Sequence, residues 1–375
     1  MSISSIRKFE IQPSNKSSAD SVFSYKSGTP VISFKISPTD AYLLSDKLRF
    51  NCRIRVVTGA AATAAMPNGF APNNTEATAA LPAGPGPNAF VRQDPKTANV
   101  AALSQINISN SRNQTLELVK DLPRLYATLL GGMYGWREFS TYLGMMFGSS
   151  ASTARQGVIT SQEEQVVSMP LLAGMFLSGE RIPLGRENGV NGLNIDLTLN
   201  PSIAALFGND AAANGGSYIE LRECSLSGAF GNPTGGRLPA IKGFGYTAFS
   251  SFYNVLTNND EVQAINTALS SVISVFNNFI PTGNLSNWDR NGQLTLPPMN
   301  GNNQTHILNY SILKDGKKFP LSFRVDETIN QENNYDAFEA ERQRYFLSAV
   351  KPYRRIDSTL AGGISEGQPS QSAID

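Results

Sequence analysis

The feature that most restricts the fold is the strict alternation of apolar and polar residues from Lys47 to Val57. Successive side chains of a β-strand point to opposite faces, so a period of two over this length predicts a strand with one buried face. The predicted buried face consists of Leu48, Phe50, Cys52, Ile54 and Val56. The opposite face carries Lys47, Arg49, Asn51, Arg53 and Arg55. The chain must therefore contain a sheet that packs on one side only.

The cationic face of this strand has two interpretations. One is a site for an anion or a nucleic acid, and the other is a face turned to solvent or to another protein chain. Lys+Arg 31 and Asp+Glu 30 leave a net charge of +1, whereas proteins that bind duplex nucleic acid or anionic membranes carry a basic excess. The charge balance therefore favours the solvent-facing or protein-facing interpretation.

Further short apolar segments, separated by turns, predict more strands before residue 236. They are Val31–Ser37, Leu103–Ser109, Val166–Pro170, Leu193–Leu199 and Tyr218–Leu226. The run Thr115–Leu122 meets Pro123, which restricts a helix at that point. Strands at this spacing, with few helices, fit a β-sandwich or jelly roll better than a β-α-β fold. An Ala-, Pro-, Asn- and Gly-rich tract over residues 58–102 predicts a long inserted loop.

The predicted domain organisation has three parts. Residues 1–30 are polar and form an extended N-terminal arm, residues 31–236 form the first β-domain, and residues 237–375 form the second with a polar tail. In the second part we predict a strand over Phe244–Leu256 and a helix that begins at Asn259 or Asp260. Lys314-Asp315-Gly316 predicts a hairpin, and Tyr335–Val350 a second helix.

The sequence contains no arrangement of residues that predicts catalysis, a cofactor or a metal site. His306 is the one histidine, and it lies next to an Asn-rich loop rather than in a triad context. Cys52 and Cys224 lack CxxC spacing, and buried free thiols are the favoured interpretation, with a single long-range disulfide as the alternative. The Gly243–Ala248 match to a dinucleotide fingerprint enters a strand rather than a helix. The chain has neither a secretory leader nor an apolar run of about 20 residues, so we predict a soluble, non-enzymatic protein.

The order of several short motifs resembles that of major capsid proteins of the double jelly-roll lineage. In the first part these are Asn113–Glu117, Ser168–Leu172, Gly174–Phe176, Ile182–Leu184, Leu193–Leu199 and Tyr218–Leu226. In the second part they are Lys318–Pro320, Tyr335–Asp336 and Arg344–Leu347. The relatives concerned are those of virophages, polinton-like viruses and adintoviruses and, more remotely, adenovirus hexon.

This resemblance implies a mainly β chain with two jelly-roll sandwiches in tandem and a few inserted helices. It further implies a homotrimeric, pseudo-hexameric capsomer in an icosahedral virion, with residues 58–102 as the outward tower. The implied partners are further copies of the chain, minor capsid or penton proteins, and an internal membrane reached by the N-terminal arm, without direct contact to nucleic acid. The implied site of synthesis is the host cytoplasm or a virus factory. Arg49, Arg53 and Arg55 would then pair with carboxylates across subunit interfaces.

Two alternatives stay open at this stage. The strands predicted after residue 236 are too few for a complete eight-stranded roll, so the second roll is either compact or completed by another polypeptide. A glycan-binding β-sandwich of a surface protein is the rival function, but it would require a signal peptide and commonly a cluster of calcium-binding carboxylates.

Overall fold

A computed structural model of the chain describes residues 3–16, 22–57, 102–123, 164–171, 173–177, 181–201, 218–239 and 244–252, the backbone of 309–314 and 317–324, and a few isolated residues. In chain order the strands are β1 Ile3–Ile11, β2 Val31–Ile36, β3 Tyr42–Leu44, β4 Arg49–Val57, β5 Leu103–Ser109, β6 Thr115–Lys120, β7 Glu164–Pro170, β8 Arg181–Pro183, β9 Leu193–Leu199, β10 Tyr218–Pro233, β11 Asn309–Lys314 and β12 Lys317–Arg324. A short 3-10 helix spans Ser45–Lys47, and a single-turn helix, α1, spans Gly174–Leu177.

The larger sheet is organised around β10, its longest strand, with 16 residues. One edge of β10 pairs with β4 and, further along, with β3, and the other edge pairs with β1. β7 pairs with β4, and β8 pairs with β3. The 3-10 helix therefore interrupts one row of this sheet between β3 and β4, and α1 interrupts the next row between β7 and β8. All of these pairings are antiparallel.

The smaller sheet has four antiparallel strands in the order β2-β9-β5-β6. When β3 with β4, and β7 with β8, are each counted as one row, the larger sheet also has four rows. The chain crosses between the two sheets at each connection except the β5–β6 hairpin. Two antiparallel sheets with this connectivity make the described part of the chain a jelly-roll β-sandwich. The predicted mainly β class is confirmed.

The core lies between the two sheets and is almost entirely apolar. Phe34 of the smaller sheet and Phe50 of the larger sheet meet edge to face, with ring centroids 5.9 Å apart. The predicted inward face of β9 is confirmed, as is that of β4 except at Val56, whose side chain lies outside the described residues. The buried residues of the two faces are Leu48, Phe50, Cys52, Ile54, Leu193, Ile195, Leu197 and Leu199. Both cysteines are free and buried, as predicted.

The segment predicted as an N-terminal arm takes part in the larger sheet. β1 pairs with β10 from Ile3, opposite Pro233, to Ile11, opposite Leu226. Phe9 stacks on Phe230 with ring centroids 4.2 Å apart. Most other side chains of β1 are exposed, and for this reason its sequence looks like that of a solvated arm.

The segment after β10 also packs on the sandwich instead of leaving it. Leu238 and Phe249 are buried in the same core. Residues 244–252 form no strand, although a strand over Phe244–Leu256 is predicted from the sequence. The prediction is wrong because this segment bonds to β6 through side chains and to a single carboxylate, not through a backbone ladder.

Further along the chain, β11 and β12 form an antiparallel hairpin on either side of residues 315–316, as predicted. The long loop of residues 58–102 lies outside the described residues except for Val100 and Ala102, which are buried. Both predicted helices of the second part and His306 lie outside the described residues as well, apart from single positions within the first helix.

Candidate interface on the larger sheet

The three predicted interface arginines share the outer face of β4. Arg49, Arg53 and Arg55 are all half-buried, and they alternate with the core residues of the same strand. The geometry thus brings them together in one row, as the alternation predicts.

Arg53 already has a partner within the chain. Its Nε lies 2.6 Å from Oε2 of Glu223 on β10, with the two side chains 41% and 65% exposed. Glu223 has a left-handed backbone, φ 46°, at the irregularity where the β10–β4 register shifts. An exposed pair of this kind contributes about 0 to 1 kcal/mol to stability. Sequence reasoning missed Glu223, because a partner 170 residues away leaves no local signal.

A polar network crosses the same face from β7 to β1. Ser168 donates to Oδ1 of Asn51 at 2.7 Å, and Nδ2 of Asn51 donates to Oγ of Ser227 at 2.9 Å. Ser225, also of β10, donates to Oε1 of Glu10 on β1 at 2.6 Å. These bonds hold the polar side chains of four adjacent rows in place, so the face is ordered before any partner arrives.

Two large apolar side chains stand exposed on this ordered face. Val166 of β7, opposite Arg53, is 68% exposed, and Ile6 of β1, opposite Gly231, is 63% exposed. Arg222 and Glu220 form a further ion pair at 3.1 Å. A surface that mixes ion-paired side chains with exposed apolar residues is typical of contacts between protein subunits. We call this surface the outer β4 face; it comprises the outward residues of β1, β10, β4 and β7.

A second feature of the sandwich was not anticipated from the sequence. Glu117 of β6 is only 2% exposed, and its carboxylate accepts three backbone hydrogen bonds. Gly174 and Phe249 donate to Oε1, both at 2.8 Å, and Met175 donates to Oε2 at 2.9 Å. Burial raises the pKa of Glu117, and the three N–H donors oppose that rise. The available sequence signal was its position two residues before Val119, on the inward face of the strand.

The described residues contain no arrangement suited to catalysis or metal binding. No group of three or more His, Cys, Asp or Glu side chains within them lies close enough to hold a metal ion. Burial raises the pKa of the Cys224 thiol to about 12, and burial together with the charge of Cys224 raises the pKa of Cys52 well above its usual value. Both thiols are therefore protonated and poor nucleophiles at neutral pH. Within the same residues, no helix is long and apolar enough to cross a membrane.

The class of protein that this geometry defines is an antiparallel jelly-roll β-sandwich with an ordered, mixed polar and apolar outer face. No protein-family model and no curated protein matches the chain. Among solved structures it is similar to a chain of the Sputnik virophage, with 12% identity over 62% of this chain and 48% of that one and a TM-score of 0.34. It is also similar to the mavirus major capsid protein, with 11% identity, coverages of 62% and 48%, and a TM-score of 0.32.

A third similar structure is the Faustovirus major capsid protein, with 10% identity over 61% of this chain and 55% of that one and a TM-score of 0.34. The chain thus spans about half the length of the structures it matches. The jelly-roll fold that the sequence resemblance implies for the first part of the chain is confirmed by the two antiparallel sheets themselves.

Proposed function

We propose that this chain is a structural subunit of a virus capsid and that its outer β4 face contacts neighbouring subunits. The observation that carries the proposal is the state of that face. Two of its arginines are ion-paired within the face, and hydrogen bonds fix its polar groups across four strands. Val166 and Ile6 remain exposed. Ion-paired side chains lose little free energy when an interface excludes water, and burial of the exposed apolar side chains is favourable.

In its finer form the proposal is a major capsid protein. Three copies form a pseudo-hexameric capsomer, and capsomers tile an icosahedral shell in the virion together with minor capsid or penton proteins. The low charged fraction of 16% agrees with a subunit whose sides face identical neighbours. In this proposal the chain is made in the host cytoplasm or a virus factory and has no enzymatic activity.

Residues 1–30 have a double role in this proposal. Residues 3–11 complete the larger sheet as β1, and Ile6, Lys8 and Glu10 are exposed side chains on its outward face. Contact with an internal membrane would therefore use the surface of an ordered strand rather than a free arm. Direct contact with the packaged genome is not part of the proposal, because the net charge is only +1.

The test is the mass of the purified full-length chain in solution, combined with electron microscopy of the same sample. We expect a homotrimer with a hexagonal outline. A monomer that retains specific oligosaccharides on a glycan array would instead establish the rival function, a glycan-binding sandwich. A monomer without glycan binding would also contradict the capsid proposal.

A further inference from the structure

The two cysteines of the sequence meet at one position of the larger sheet, on the neighbouring strands β4 and β10. The register pairs the residues on either side of Cys52 with Ser225 and Arg222 of β10. Cys52 therefore faces the interval of β10 that holds Glu223 and Cys224. Cys52 is 3% exposed and Cys224 is 2% exposed, so both thiols point into the core.

The neighbouring residues show that both thiols belong to the inward face. The next inward pairs along the two strands are buried as well. They are Leu221 with Ile54 and Leu226 with Phe50. Glu223, by contrast, is exposed, and it is the extra residue of a β-bulge, since two residues of β10 oppose one residue of β4 here. The bulge thus places Glu223 on the outer β4 face and leaves the two thiols side by side.

The spacing of opposite residues in an antiparallel pair suits a disulfide. Their Cα atoms lie about 4.5 to 5.5 Å apart, and the Cα atoms of a disulfide lie about 4.4 to 6.8 Å apart. The two thiols are free in this structure. Burial is the main cause of the raised pKa of Cys52, and the charge of Cys224 adds to it, so the two sulfur atoms are close enough to interact.

The bulge also interrupts the backbone ladder beside the two thiols. Glu223 has a left-handed backbone, φ 46°, which is unfavourable for a residue other than glycine. The register of β10 against β4 shifts at this point, so the regular series of hydrogen bonds is broken there. Local opening of the sheet at such a discontinuity gives a small reagent access to thiols that are otherwise buried.

From this register we propose that Cys52 and Cys224 are a redox pair, which a low-molecular-weight disulfide such as oxidised glutathione converts to an intramolecular disulfide that joins β4 to β10. One cysteine thiolate attacks the reagent, forms a mixed disulfide and releases one small thiol. The other thiolate attacks the cysteine sulfur of the mixed disulfide and releases the second small thiol. The two cysteine protons end on the released thiols, and the chain loses the two electrons that the reagent gains.

The state of the pair follows the medium around the chain. Inside a cell the glutathione pool keeps such thiols reduced, and burial keeps them protonated and slow to react. In an oxidising medium the bond forms and closes a loop that contains β5 to β9. Closing a loop of this kind stabilises a fold chiefly by restricting the unfolded chain. The proposal does not depend on the capsid function.

The experiment brings the full-length chain to equilibrium with mixtures of reduced and oxidised glutathione, both in strong denaturant and below the unfolding transition. The disulfide form is identified by a mass lower by two hydrogen atoms and by a linked peptide pair that carries both cysteines. We expect its equilibrium constant to be about thirtyfold to a thousandfold larger in the folded chain than in the unfolded chain. Each mixture is approached from the reduced and from the oxidised chain, so slow access to the thiols is not mistaken for an unfavourable equilibrium.

Cys52→Ala combined with Ile54→Cys is the matched control, because it moves one thiol by two residues, about 7 Å, along the same face of β4. The preference of the folded chain for the disulfide should fall at least tenfold in this variant. The proposal is overturned if folding of the unaltered chain does not favour the disulfide, a result that needs no variant to fold. It is also overturned if the folded chain accumulates glutathione on both cysteines instead, or if the displaced pair forms the bond equally well.

Discussion

Glu117 shows how a single buried charge is accommodated in an otherwise apolar sandwich. Its carboxylate has three backbone donors, and none of the described cations forms an ion pair with it. Hydrogen bonds to the charged form favour ionisation, while removal from water disfavours it. Burial is the larger effect here, so the folded chain holds the proton of Glu117 more tightly than the unfolded chain does.

This shift predicts how stability depends on pH. The pKa of Glu117 is raised above its ordinary value of 4.5, so the folded state binds more protons than the unfolded state between these two values. The stabilisation is fully present below the unfolded pKa and is lost as the pH rises through the folded pKa. Denaturant unfolding from pH 4 to pH 8 should therefore show a falling free energy of unfolding from this group.

The same series with Glu117→Gln isolates the contribution, since an amide does not titrate. We expect the difference in unfolding free energy between the two proteins to change with pH in the direction given. Burial and, to a lesser extent, the charge of Glu117 raise the pKa of Tyr246, so that hydroxyl is neutral across this range. Parallel curves for the two proteins would show that the folded pKa of Glu117 is not raised.

Gly174 is required by close packing rather than by backbone conformation. A Cβ atom there would lie 2.6 Å from the carbonyl oxygen of Thr247 and 2.9 Å from Cα of Ala248, both backbone atoms of the segment of residues 244–252. We expect Gly174→Ala to lower the free energy of unfolding by about 1 to 3 kcal/mol, as overpacking does. Thermal or denaturant unfolding measures this loss.

Gly245→Ala is the control in the same segment, because Gly245 is exposed and a Cβ atom there would have no neighbouring atom within 4 Å. Its unfolding free energy should stay within about 0.5 kcal/mol of the unaltered protein, as for ordinary surface substitutions. An equal loss of unfolding free energy in the two variants would mean that Thr247 and Ala248 do not pack against Gly174.

Among the elements, β1 depends on very few side chains for its place at the edge of the larger sheet. Phe9 is the main anchor, since its ring stacks on Phe230 and occupies the space that the missing side chain of Gly228 leaves. Arg7 adds a cation–π contact, with its guanidinium carbon 5.4 Å from the centroid of the same Phe230 ring. Edge strands with few apolar anchors are the first parts of a sheet to open.

Phe9→Ala should therefore weaken β1 selectively. We expect a loss of about 1 to 3 kcal/mol in unfolding free energy, from lost burial and lost ring stacking. Faster hydrogen exchange of residues 3–11 than of β9 would accompany it. Ile6→Ala is the matched control on the same strand, because that side chain is 63% exposed and should cost little. A result in which both variants lose equally would contradict Phe9 as the anchor.

The elements that sequence analysis found are those whose signal is local. β4 and β9 show strict alternation, and the β11–β12 hairpin has its turn residues at the expected place, so neighbouring residues alone predict them. The position of β1 depends on Phe230, and that of residues 244–252 depends on Glu117. Each of these partners lies more than one hundred residues away in the chain. The row of Arg49, Arg53 and Arg55 follows from alternation, whereas Glu223, the partner of Arg53, is determined by the sheet register. Local patterns therefore predicted the face but not its contacts.

At the scale of the whole molecule, the proposed assembly can be tested through charge on the outer β4 face. Arg49→Glu and Arg55→Glu, made together, place two acids in a row that the proposal turns toward neighbouring subunits. We expect the trimer fraction measured by light scattering to fall at least tenfold, with monomer stability changed by less than about 1 kcal/mol, because the positions are only half-buried.

Two controls accompany this variant. Lys35→Glu reverses a charge on the exposed face of the smaller sheet and should leave the trimer intact. Arg53→Glu with Glu223→Arg restores the internal ion pair in reverse order, so it separates the local role of Arg53 from a role between subunits. Unchanged trimer in the Arg49/Arg55 variant would remove these arginines from the interface.

The central position of β10 also sets an order of events during synthesis. Ser4 bonds to the backbone of Asn232 across 228 residues of chain, so β1 is synthesised long before the strand that it pairs with. At about 5 to 20 residues per second, a ribosome needs roughly 10 to 50 s to span that interval. Through that time β1 is an unpaired strand on an unfinished sheet. An unpaired strand can pair with the edge of another chain, so the timing of synthesis, as well as the final geometry, affects whether β1 joins its own sheet.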